Sequence, residues 1–198
     1  MSTPPPIPPK HQFHSPQAQS PGAPFSTPFV ILGILLLVLG IVFFSIYFYG
    51  LTEIGRYSFE PLGGGFMLRY IVGTHTAPLA SILMAVGGIG MIMRKKTGYF
   101  AGLGSSVYGI LLLLTMFILL GGSGMQLSGM LNLRNLYVAL MILQTLTFLA
   151  TIVMLLLPLG KKHFNTGLLA MLGGIGLGVF LWLDYLFCTY VLTPWAFG

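Results

Sequence analysis

Chemistry inside a largely apolar chain requires a charged or ligating side chain kept away from lipid. The 198 residues include three acidic side chains: Glu53, Glu60 and Asp184. Only Asp184 falls inside a long apolar run, in Trp182-Leu183-Asp184-Tyr185. A charge at mid-membrane costs about 2.5–3.5 kcal/mol even on insertion scales, so this carboxylate is expected to face protein or water beside a partner. Helical spacing puts Gly173, Leu177, Leu181 and Cys188 on its face, and the small residues there mark a packed face. Three candidate partners share its level: Arg134 at the start of an apolar run, and Arg69 and His75 ahead of another. Asp184, His75, Arg134 and Arg69 thus form the candidate intramembrane polar site. A structural ion pair or hydrogen bond that fixes a bundle is the simpler role, and a substrate, ion or proton site is the sharper one.

Other chemistries find little support. His75 sits in Gly73-Thr74-His75-Thr76-Ala77-Pro78, a polar entry to a helix, with Thr76 as N-cap and Pro78 in the first turn. A metal site of His75, Asp184 and Cys188 lacks any recognised ligand spacing, and no metal or cofactor is expected. Axial haem ligation is not expected either, because the other histidines (His11, His14, His163) fall on the opposite side in the expected topology. Cys188, the single cysteine, has apolar neighbours and reads as an inert packed thiol. Gly63-Gly64-Gly65 and Gly121-Gly122-Ser123-Gly124 lack the lysine and strand-to-helix setting of a phosphate loop. Without a nucleophile–base pair either, the chain is not expected to be an enzyme.

The elements that must position these residues are set by composition. Apolar residues make up 56% of the chain and charged ones 6%, against about 25% charged in soluble domains. Mean hydropathy is +0.92. Most of the surface therefore faces lipid, and the expected fold is an all-α polytopic transmembrane bundle of five spans, near residues 29–49, 72–93, 98–120, 133–157 and 167–190. A Pro-rich tail, residues 1–27, precedes them; seven of its first 21 residues are proline, a composition that favours extended, disordered backbone. The net charge of +6 does not signal nucleic acid, because the bases sit in short clusters between apolar runs. Arg94, Lys95, Lys96, Lys161 and Lys162 read as topology-setting flanks. With Lys10 they put six bases on one side against Arg56, Arg69 and Arg134 on the other. The positive-inside rule then makes the N-terminus cytoplasmic and the C-terminus extracytoplasmic.

Spans three and five resemble each other. Thr97-Gly98, Ala101, Leu103-Gly104, Gly109, Leu112 and Leu114 recur as Thr166-Gly167, Ala170, Leu172-Gly173, Gly178, Leu181 and Leu183, at a constant offset of 69 residues. Each follows a span that ends in a basic turn, so the expected architecture is one leading helix plus two tandem helical hairpins. Gly98 and Gly102, with Gly174 and Gly178, give small-residue faces for helix packing, and Gly87, Gly88 and Gly90 line span two. Gln144 and Thr147 share a face of span four, where interhelical hydrogen bonds are the ordinary expectation. These features favour a non-enzymatic structural or assembly subunit acting through helix–helix packing in the bilayer, with itself or with a membrane complex. The alternative is a small transporter or channel component with an outward-facing site around Asp184 and His75. Pro5-Pro6-Ile7-Pro8-Pro9-Lys10 fits what polyproline-binding domains recognise, which makes such a domain a candidate partner of the tail.

Overall fold

The computed structural model describes residues 26–57, 71–119 and 131–194. The Pro-rich tail up to residue 25, the 58–70 connection with Arg69, and the glycine linker at 121–124 lie outside the described residues. Helix α1 spans Ser26–Tyr57, α2 Thr76–Ile92, α3 Lys96–Leu119, α4 Leu131–Leu156, α5 Pro158–Phe164 and α6 Leu168–Phe187. A π-helical turn, Cys188–Leu192, continues α6. Among the described residues five helices are long and apolar enough to cross a membrane. Lipid-facing side chains are large and apolar, among them Leu169, Phe117 and Ile118.

Several boundaries differ from the sequence expectation for local reasons. Helix α1 runs past Tyr49 to Tyr57; no proline interrupts residues 50–57, and Thr52 donates to the Tyr49 carbonyl at 2.8 Å. Span four does not end in a plain turn at Pro158. Leu157 is extended, as the residue before a proline prefers, and Pro158 opens the short helix α5. Lys161, Lys162 and His163 occupy the last turn of α5, where the helix dipole favours positive charge.

The two basic turns close alike. Arg94 and Asn165 hold positive φ, 55° and 48°. After α2, the Arg94 amide donates to the Met91 carbonyl and the Lys95 amide to the Gly90 carbonyl, at 3.2 and 2.8 Å. After α5, Asn165 donates to Lys162 and Thr166 to Lys161, at 3.3 and 3.0 Å. Both are Schellman closures. Asparagine tolerates the left-handed region, whereas Arg94 occupies it against steric preference.

Packing runs through glycines, as expected where lipid supplies no hydrophobic drive between helices. A Cβ on Gly33 would meet the Gly88 backbone and one on Gly40 the Ser81 and Ala85 backbone, so α1 and α2 touch main chain to main chain. Gly87 lies against Gly102, and Gly90 against Gly98, which joins α2 to α3. Gly104 and Gly178 bring α3 and α6 together, and the Phe148 ring of α4 fills the space over Gly109 of α3. Helix α3 is the centre: Tyr99, Leu103, Ser105, Ser106 and Tyr108 are all buried. The second expected hairpin does not form a packed pair, since α4 lies on α3 and α1 while α6 lies on α3 and reaches α2. The cause is steric: the glycines of α6 fit closely against α3, with Gly178 on the Gly104 backbone.

The polar face of α4 also differs from expectation. Thr145, Thr147 and Thr151 donate to carbonyls four residues back in their own helix, at 2.7–2.8 Å. Such local bonds satisfy a hydroxyl without a partner helix.

Candidate functional site: a His–Asp–Cys cluster between two helix breaks

The site assembles where two helices are interrupted. Residues 71–74 form a helical turn and His75 separates it from α2. Pro78 has no amide hydrogen for the carbonyl four residues back, so the helical ladder is broken there. His75, not Thr76, occupies the N-cap position, with φ −59° and ψ −24° and no side-chain cap. Thr76 is free to turn inward, and its hydroxyl meets the Tyr108 hydroxyl of α3 at 3.1 Å.

On the other side, α6 widens into the π turn at Cys188. Such insertions recur at functional positions because they re-aim the side chains that follow. Thr189 Oγ1 donates to the Gly73 carbonyl at 2.9 Å, and Thr193 Oγ1 donates to the Cys188 carbonyl. The π turn is thereby tied to the turn that carries His75.

His75 Nε2 lies 2.7 Å from Asp184 Oδ2, across 109 residues of sequence. His75 Nδ1 lies 2.9 Å from the Val72 carbonyl oxygen. A carbonyl only accepts, so Nδ1 carries the hydrogen and donates it. Cys188 Sγ, one helical turn beyond Asp184, donates to Asp184 Oδ1 at 3.8 Å. The ligand atoms of His75, Asp184 and Cys188 all lie within 4.8 Å of one another. The His75 and Asp184 side chains are each 33% exposed, whereas Cys188 is buried. The cluster is therefore only partly covered by protein on one side and backed by packed protein on the other.

Of the four residues expected to form the polar site, the structure brings His75 and Asp184 together. Arg69 lies outside the described residues. Arg134 falls in the first turn of α4, and its side chain is outside the described residues. Cys188 is more than a packed thiol, because its sulfur points at the carboxylate. The i, i+4 spacing from Asp184 was the signal for it; the π turn and the tether from Thr189 carry no comparable signal. Gly98, Gly102, Gly174 and Gly178 all pack against other helices of the same chain.

A second polar group lies by the basic turns. The His163 ring stacks on Phe29 with centroids 4.5 Å apart, and Phe164 meets both edge-on. Burial, helped by the positive charge of Arg94, lowers the His163 pKa below its ordinary value. Among the described residues its Nε2 is buried without a hydrogen-bond partner.

Fold and site together define the class: a multi-pass α-helical membrane protein with an ionisable cluster inside its bundle. No family model, curated protein or solved structure matches the chain.

Proposed function

We propose that this chain is a non-enzymatic membrane transport component that handles a cation at the His75–Asp184 site. One observation carries this. With Nδ1 donating to Val72, a neutral His75 ring presents a bare lone pair to a carboxylate oxygen 2.7 Å away. Two acceptors at that separation repel, so a proton belongs between them, and a larger cation enters only when the contact opens. Ionisable residues within membrane spans commonly mark ion or proton routes. In the orientation favoured by the basic turns, the N-terminus is cytoplasmic and this site opens to the outer side.

The test is reconstitution in sealed vesicles, with cation uptake or proton movement followed by fluorescence. Asp184→Asn is expected to keep the protein monodisperse and correctly inserted while abolishing flux. A variant that transports like the native chain would overturn the proposal.

The second reading is a structural or assembly subunit, and the glycine-to-backbone packing favours it. Under it, Asp184→Asn lowers thermal stability or recovery from the membrane, and purified native chain retains a stoichiometric partner or a second copy of itself.

A further inference from the structure

The structure assigns to His75, Asp184 and Cys188 an exchangeable site for a d-block divalent cation of the Zn²⁺ class. The inference rests on reading the cluster as a working cation site, and it adds the identity of the cation. Three donors of different chemistry converge from two elements: imidazole nitrogen, carboxylate oxygen and cysteine sulfur, all within 4.8 Å of one another. A proton relay requires only the first two. Sulfur together with nitrogen selects zinc-like ions over magnesium and calcium, which prefer all-oxygen sites.

The surroundings match a coordination site in two further ways. Metal-bound imidazoles donate their second ring hydrogen to a carbonyl or carboxylate, which fixes the tautomer and aims the free nitrogen at the metal. His75 does this through Nδ1 to the Val72 carbonyl at 2.9 Å. The π turn begins at Cys188 itself, and Thr189 ties that turn to Gly73, so the sulfur is held against the histidine-bearing turn. In a tetrahedral site with bonds of ~2.0–2.3 Å, donor atoms stand roughly 3.3–3.8 Å apart. The 2.7 Å contact of His75 Nε2 with Asp184 Oδ2 opens when an ion enters, and donors that all lie within 4.8 Å of one another reach that spacing by small side-chain rotations.

Three protein donors leave one position free. Structural zinc sites are closed by four, whereas an open position takes water or substrate. The one-third exposure of His75 and Asp184 leaves that position uncovered by protein. Binding is a proton exchange: the metal displaces the Cys188 thiol proton and any proton held between His75 and Asp184, and no electron moves.

Co²⁺ is the probe, added to full-length chain without a histidine tag in mild detergent. One equivalent is expected to give tetrahedral ligand-field bands and a thiolate-to-cobalt charge-transfer band, both erased by Zn²⁺. Cys188 is the only cysteine, so histidines of the tail cannot produce the charge-transfer band. Cys188→Ser, a near-isosteric change, is expected to remove that band while the protein stays monodisperse. Asp184→Asn is expected to weaken Co²⁺ binding by about tenfold or more. No charge-transfer band in folded native chain, or an unchanged band in Cys188→Ser, overturns the site. Co²⁺ binding without vesicle flux upholds the site and removes the transport proposal. Proton flux from chain that binds no Co²⁺ upholds that proposal and overturns this one.

Discussion

At His75 the backbone decides what the ring can do. The Val72 carbonyl occupies one nitrogen, so only the other is left to meet Asp184 or an ion. His163 is the opposite case, a ring held by stacking on Phe29 with its Nε2 unpartnered. Burial first, and Arg94 second, lower its pKa, so the folded state favours the neutral ring. The unfolded chain takes up its proton earlier as pH falls, near the ordinary value of about 6.5. The stabilising contribution is thus present above pH ~6.5 and is lost as pH falls through that value toward the lowered one. Thermal unfolding in detergent should show the native midpoint dropping across this window, and His163→Phe should flatten that part of the profile. Asp184 was legible in the sequence as the one carboxylate in an apolar run. Its partner was less so, because charge and level alone leave Arg69, Arg134 and His75 equivalent; only the break ahead of Pro78 singles out the histidine.

Helices α1, α2, α3 and α6 meet through glycines, and the glycines differ in what they face. Gly98 lies directly on the Gly90 backbone, so a methyl group there has no flexible side chain to displace. Gly98→Ala is expected to lower stability by roughly 1–3 kcal/mol, the usual cost of overpacking. Gly176 has nothing within 4 Å of its Cβ position, and Gly176→Ala should be neutral or gain about 0.5–1 kcal/mol from helix propensity. Measuring both by thermal denaturation separates packing from propensity; equal effects would contradict the backbone contact at Gly98. The spans themselves are legible in the sequence because twenty apolar residues have one stable arrangement in lipid. Their pairing is not, because glycines recur on α1, α2, α3 and α6 alike. The repeat between Thr97–Leu114 and Thr166–Leu183 suggested two like hairpins, yet its equivalent glycines meet different neighbours. Gly98 packs on Gly90, while Gly167 faces open space.

For the whole molecule, orientation in the membrane is a prediction from the basic turns. Lys95 and Lys162 belong to basic turns, and the last candidate span ends at Leu192. In a Cys188→Ser background, a membrane-impermeant maleimide applied to intact cells should label Gly198→Cys and spare Lys162→Cys until the membrane is opened. The reverse pattern would turn the protein over and point its polar cluster to the cytoplasm. Assembly also has an order in time. Helices α1, α2 and α3 are consecutive neighbours, but His75 meets Asp184 only after 109 further residues have been made. At roughly 5–20 residues per second, the imidazole enters the membrane about 5–20 s before its carboxylate exists. A chain stalled before α6 carries both an uncovered α3 and an unanswered histidine, which gives membrane quality control two marks by which to tell a nascent copy from a finished one.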